Sequence, residues 1–258
     1  YPFVGMSLVV SDVSGRNSIE VRDFTDIISP QLRATALSPD GRIVAYVRSE
    51  LQIKSGRYVY VESVMLFDIV SRQYQELDNF ASFLDGASNV KQFISQLEFS
   101  PDGAYLAIAQ WGKNTVVSVY NVNSHAQMVR TTPDTGPFFT WASDSRTLFY
   151  TKNKGSYNYL FEAIDEVNSL HYNLMIPSAS DIRTLNIIDG TNNLIESANS
   201  AVMELDVSPM DSALVYTNYR VGEKLDPFGC DLMVKNLRDG STTRNLTDGT
   251  GPASRIYP

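Results

Sequence analysis

One phrase constrains this chain more than any other. Residues 37–47 read LSPDGRIVAYV, and residues 99–109 read FSPDGAYLAIA. Two looser copies emerge on alignment, so that four windows stand together: TALSPDGRIVAY from Thr35, LEFSPDGAYLAI from Leu97, FTWASDSRTLFY from Phe139 and LDVSPMDSALVY from Leu205. An apolar residue precedes each turn (Leu37, Phe99, Trp141, Val207), and an apolar trio follows it at 44–46, 106–108, 148–150 and 214–216. Ser suits the first turn position, Pro presets φ at the second, Asp suits the third, and Gly at the fourth lets the next strand leave. Flanked by β-branched and aromatic runs, the phrase is a hairpin turn between two strands.

Two further strand-like runs follow each hairpin. They are YVYVESVMLFDIV and QYQEL, then TVVSVYNVN and AQMVRTT, then YNYLFEAID and HYNLMI, and last CDLMVKNL and TTRNLT. Each unit therefore reads as a four-stranded antiparallel meander. Units of this size repeated along one chain are arranged radially as β-propeller blades. The absence of 3.6-period stripes excludes a helical solenoid, and a β-sandwich is the remaining alternative. The expected fold class is all-β: a β-propeller of four-stranded antiparallel blades, incomplete in this chain. Residues 1–258 then form a single propeller domain, with a half-blade at 1–30 and blades at about 31–78, 93–132, 137–177 and 202–248. Residues 249–258 read as the start of a further blade. Because another SPDG phrase falls due where the sequence stops, the expectation is a piece of a longer polypeptide; a ring closed by a C-terminal strand is the alternative.

Composition narrows the function classes. With 258 residues, 43% of them hydrophobic, there is material for one large all-β core. A net charge of −8 argues against a general nucleic-acid or anionic-membrane surface, because phosphate binding needs clustered Lys and Arg. No run of about 18 apolar residues occurs, so no transmembrane helix is expected. The single cysteine, Cys230, rules out an internal disulfide and fits a periplasmic or a cytoplasmic setting equally. The opening YPFVGMSLVV has no basic n-region, which makes a processed or excerpted chain the expectation.

Chemistry-bearing patterns are sparse. Asp40, Asp102 and Asp144 recur as candidate metal ligands, but an Asp in a turn bonds its own backbone. Two of the four copies also break the motif, as ASDS and SPMD, which a hairpin tolerates and a metal site does not. Two histidines, His125 and His171, and one Cys do not make a zinc set. No G-x-S-x-G nucleophile elbow occurs; the nearest string, GMSLV at 5–9, lacks the second Gly. GTGPAS near the end lacks the Lys of a phosphate loop. Asp165 and Glu166 sit at a turn, and Asn245-Leu246-Thr247 is a formal glycosylation sequon at an outer-strand end. No catalytic residue, metal site or cofactor is assigned.

Geometry suggests where binding would occur. In a meander, the first turn lies on one face of the disc, and the second loop and the crossover lie on the other. The SPDG face is thus short-looped. The opposite face carries the long segments 48–57, 110–113, 152–157 and 219–228, with crossovers at 78–93 and 177–201. Long loops on a rigid scaffold are where binding usually resides. The candidate substrate- or partner-binding residues are Arg48, Arg57, Tyr58, Trp111, Lys113, Tyr157, Tyr219 and Arg220, beside Lys152, Lys154 and Lys224. The plain alternative is ordinary solvated loop residues.

The inner-strand phrases resemble the degenerate repeats of TolB-type propellers and of the N-terminal propellers of prolyl oligopeptidase-type serine peptidases. The lead-in IEVRDFTDIISPQLRATALSPDGRIVAYVRSE, residues 19–50, is similar to the segment that precedes the first blade in those peptidases. Dipeptidyl peptidases, acylaminoacyl peptidases and lasso-peptide isopeptidases are the subgroup nearest in character. The resemblance implies a substrate-gating domain over an α/β-hydrolase domain whose Ser, Asp and His lie outside this chain. Its partners would be a peptide substrate or that hydrolase domain, with no nucleic acid and no membrane span; a homodimer stays open. A non-catalytic TolB-like scaffold binding protein partners in the bacterial envelope is the alternative. A third reading, a propeller with its own small-molecule site in the central channel, needs carboxylates or His at the starts of the inner strands, where only Glu204 stands.

Overall fold

The computed structural model describes residues 8–21, 34–54, 57–83, 92–112, 115–165, 170–219, 230–240 and 242–247. They form strands throughout, with no helix among the described residues. A two-stranded sheet comes first, β1 (Leu8–Ser11) with β2 (Ser18–Val21). Four four-stranded sheets follow, each a meander in chain order. Blade one is β3 (Thr35–Leu37), β4 (Ile43–Lys54), β5 (Arg57–Asp68) and β6 (Gln73–Phe83). Blade two is β7 (Gln92–Phe99), β8 (Tyr105–Gly112), β9 (Val116–Asn121) and β10 (Gln127–Arg130). Blade three is β11 (Thr135–Trp141), β12 (Thr147–Asp165), β13 (Leu170–Asn186) and β14 (Asn192–Ala198). Blade four is β15 (Ala201–Val207), β16 (Ala213–Tyr219), β17 (Cys230–Asn236) and β18 (Arg244–Asn245). All pairings are antiparallel.

The first strands of successive blades are neighbours: β3 with β7, β7 with β11, and β11 with β15. That run of inner strands is the hub. Strand alternation distributes the core between the blades. On β4, Ala45 and Val47 enter the cluster shared with blade two, while Val44 and Tyr46 pack with Val21 of the half-blade. On β8, Leu106 and Ile108 face blade one, and Ala107 and Ala109 face blade three. On β12, Leu148 and Tyr150 face blade two, and Phe149 faces blade four. The apolar trio after each turn is therefore split across two interfaces, and a β-propeller of four-stranded blades is the architecture observed. Small residues meet large ones, as where Ala107 and Ala109 receive Phe139 and Trp141, which is how sheet faces reach interior packing density.

The third blade departs from expectation. Residues 157–165 and 171–176 were expected to be its third and fourth strands, so the blade was placed at 137–177. The fourth strand is instead Asn192–Ala198, and YNYLFEAID continues the second strand. The polar stretch 152–157, expected to be a loop, carries only a register shift between Lys154 and Tyr157 within an unbroken ladder. Residues 48–57 likewise lie mostly inside β4 and β5, paired out to Lys54 and Arg57. Ladder bonds are backbone bonds and do not require apolar side chains, so polarity misplaces strand ends.

All four turns close alike. The fourth-position N–H donates to the first-position carbonyl: Gly41 to Ser38, Gly103 to Ser100, Ser145 to Ala142 and Asp211 to Ser208, at 2.8–3.2 Å. That fourth residue has positive φ in every copy, 71° and 73° for the glycines, 58° for Ser145 and 50° for Asp211. The turn aspartates bond within their own turns: Asp40 accepts from the Ser38 hydroxyl at 2.6 Å and the Arg42 N–H at 3.0 Å, and Asp102 repeats this with Ser100 and Ala104. The two residues that replace Gly make contacts Gly could not. Ser145 Oγ accepts the Asp102 N–H at 3.0 Å, and Asp211 accepts the Ser143 N–H at 2.9 Å and the Ser143 hydroxyl at 2.5 Å. Turns of neighbouring blades are thereby linked, two to three and three to four.

Two predictions follow from these contacts. A double-mutant cycle on Ser143→Ala and Asp211→Gly, read by urea unfolding, should give a coupling of about 0.5–1.5 kcal/mol, and a coupling of zero would mean the turns are merely adjacent. Gly136 on β11 has no room for a side chain, since a Cβ there would lie 1.9 Å from Thr151 Oγ1. Gly136→Ala should cost about 1–3 kcal/mol in the same measurement, and a neutral result would show that β11 moves freely against β12.

Candidate functional site

The inner strands bring one register position together in every blade. In the aligned windows, Ala36, Glu98, Thr140 and Asp206 each stand two residues before the turn's first position. Three of the four line a cleft of about 280 Å³ at the hub, on the side of the SPDG turns. Its walls are Glu98, Phe99 and Pro101 of blade two, Thr140, Trp141 and Ser143 of blade three, and Asp206, Val207, Ser208 and Pro209 of blade four. A mixed lining of carboxylates, hydroxyls and apolar rings suits a polar ligand group with an apolar stem.

Glu98 is the most perturbed group in this cleft. One carboxylate oxygen accepts from the Thr140 hydroxyl at 3.2 Å and the Trp141 N–H at 3.4 Å, and the other accepts from Gln96 Nε2 at 3.2 Å. The indole N–H of Trp141 returns a bond to the Glu98 carbonyl at 3.2 Å, and its ring stacks on Tyr105 with centroids 6.4 Å apart. Gln96 also donates to the Phe139 carbonyl at 2.8 Å. Burial pushes the Glu98 carboxyl up to about 7, and the nearby Asp206 carboxylate pushes the same way, against the donors. Asp206 is exposed and accepts the Val207 N–H at 2.8 Å. Among the described residues neither carboxylate is ion-paired.

Side chains tie the other blades in the same manner. Glu62 of β5, buried, accepts the Ile94 N–H of blade two at 2.6 Å, and the Ser180 hydroxyl of blade three accepts the Val202 N–H of blade four at 3.2 Å. Inner strands of adjacent blades share no ladder, so these bonds satisfy backbone groups that a sheet would otherwise satisfy. Among the described residues no group of three His, Cys, Asp or Glu residues is placed to hold a metal ion, and no helix is long and apolar enough to cross a membrane.

The residues selected from sequence for the long-looped face are dispersed. Arg48 lies within β4, half-buried, 3.6 Å from the Glu76 carboxylate. Trp111 lies in β8 in an aromatic group with Phe93 at 5.7 Å and Phe138 at 6.2 Å, across blades two and three. Tyr219 ends β16 and is buried against Ala201. Arg57 and Tyr58 fall in β5, paired with Lys54 and Ile53, and Tyr157 falls in β12 opposite Pro177. Lys113 and Arg220 lie outside the described residues, as does Lys224. Lys154 is bound to Asp181 at 2.8 Å and to the Ser197 hydroxyl at 2.6 Å. Glu204, the carboxylate expected at an inner-strand start, is exposed on a bulge with φ of 50° and is not part of the cleft lining. The hub pair was missed because carboxylates were sought at the strand starts. Reading the aligned windows down the column of Glu98 and Asp206 would have found it.

Solved structures share this architecture. An acylaminoacyl peptidase from Pyrococcus horikoshii matches over 88% of this chain and 33% of its own, at 12% identity and a TM-score of 0.52. A putative TolB from Agrobacterium tumefaciens matches over 94% of this chain and 69% of its own, at 16% identity and a TM-score of 0.51. No protein-family model matches the chain, and no curated protein does. The fold is a TolB-like propeller similar to the propeller domain of a prolyl oligopeptidase-family enzyme. The chain spans one third of the peptidase it matches.

The Glu98 carboxyl gives a signed prediction. A folded pKa raised above the unfolded one means the folded state holds its proton longer, so stability from this group falls as pH rises from about 4.5 to about 7. Glu98→Gln should flatten that part of the stability–pH curve and leave the variant more stable than the parent at pH 8. Parallel curves for the two proteins, by urea midpoint, would show that Glu98 titrates normally.

Proposed function

We propose that this chain is the substrate-gating propeller portion of a prolyl oligopeptidase-type serine peptidase, with the catalytic α/β-hydrolase domain formed by residues outside it. The observation that carries the reading is the two-faced disc. Short, interlinked turns close one rim, and the hairpins β4–β5 and β12–β13 run far beyond their inner strands on the other. Such a rim offers a broad seat for a second domain. The lead-in at 19–50 supports the same reading. In this role the propeller performs no bond chemistry: it limits by size what reaches the hydrolase.

A TolB-like scaffold for envelope proteins is the second reading. The larger share of the Agrobacterium protein that the chain matches favours it. The native polypeptide separates the two. Under the peptidase reading, its intact mass exceeds this chain by roughly one further domain of about 100–250 residues, and an alkyl fluorophosphonate labels a serine in that added part. A native polypeptide with no fluorophosphonate-reactive serine overturns the peptidase reading, and an upstream secretion signal with no hydrolase supports the scaffold.

A further inference from the structure

Glu98 and Asp206 serve neither reading as described, and their placement has a consequence of its own. They stand at the same register position on β7 and β15, on opposite sides of one cleft, with β11 between them. Among the described residues the donors to the Glu98 carboxylate are neutral: Gln96 from its own strand, Thr140 and the Trp141 N–H from β11. The charged group that bears on it is Asp206 of blade four. Among the described residues no Lys, Arg or His pairs with either one. Two carboxylates lining one partly dehydrated cleft, with no cation paired to them among the described residues, repel when both are ionised, and one bound proton removes the repulsion.

We propose that Glu98 and Asp206 form a proton-operated switch at the hub, in which loss of the Glu98 proton drives the inner strands of blades two and four apart and widens the cleft. No backbone ladder joins β7, β11 and β15 to one another; they meet through packed side chains and single hydrogen bonds, so a shift between them strains individual contacts rather than a whole ladder. Trp141 sits at the pivot. Its N–H and its indole both bond Glu98, and its ring rests on Tyr105 of blade two, so a shift of β11 against β7 alters its surroundings. Since burial sets the Glu98 proton equilibrium near neutrality, the two hub states exchange populations over a narrow range around pH 7. The switch holds for a gate or for a scaffold, and its test depends on neither.

The test uses the full chain bearing Trp111→Phe, which leaves Trp141 as the sole tryptophan. Its fluorescence is followed from about pH 5.5 to 8.5, with far-UV circular dichroism at both ends to confirm that the strands persist. The expected result is one reversible transition in Trp141 emission with its midpoint near 7. Adding Glu98→Gln abolishes the transition, and adding Asp206→Asn moves its midpoint to lower pH by removing the facing charge. A flat parent curve overturns the proposal, as does a transition that survives Glu98→Gln. A midpoint unmoved by Asp206→Asn overturns the pairing of the two carboxylates.

Discussion

Each four-stranded sheet in this protein has apolar residues on both faces, and both must be removed from water. A sheet in that condition cannot stop at one partner. Strand alternation sends Tyr46, Leu106 and Leu148 toward the preceding unit and Ala45, Ala107 and Phe149 toward the following one, so each blade needs a neighbour on either side. At about 25 cal/mol per Å² of apolar surface buried, these interfaces are the main source of stability, and the radial order of the blades follows from them. In blade four the same logic shows its other side: Leu214 and Tyr216 are buried against blade three, while Val215 is only half-buried on the opposite face.

The repeated turns have a second role beyond reversing the chain. Where Gly is kept, as at Gly41 and Gly103, the turn adopts positive φ at little cost. Where Ser145 and Asp211 take its place, the backbone keeps the same conformation and the new side chain reaches the neighbouring turn. Apparent decay of the motif is thus an exchange of local ease for contact between blades. The burial pattern gives blades their neighbours, and these bonds fix the height of blade two against three and of three against four.

The hub follows a different rule from the blades. Inner strands approach one another without a shared ladder, so side chains such as Glu62, Glu98 and Ser180 satisfy backbone N–H groups of the buried residues Ile94, Trp141 and Val202. An ionisable group used in this way brings its proton equilibrium into the structure. At Glu62 the carboxylate is enclosed between blades one and two; at Glu98 it borders an open cleft and faces a second acid. Under the proposed switch, the centre of the disc is the part whose packing responds to pH.

By itself the sequence determined the strand-turn-strand repeat and the all-β class, because turn chemistry and two-residue alternation are local and written in adjacent residues. It also placed the aspartates of the turns correctly as turn formers, for the same local reason. It did not determine how far β12 and β13 run, since a backbone ladder continues through polar residues such as Lys152 and Asn153 that read as a loop. Nor did it show that Trp111 and Tyr219 are engaged in packing, because burial depends on neighbours distant in the chain. Only the tertiary structure set Glu98 beside Trp141 and across from Asp206. Those residues are separated by whole blades in sequence, and the radial assembly alone makes them neighbours.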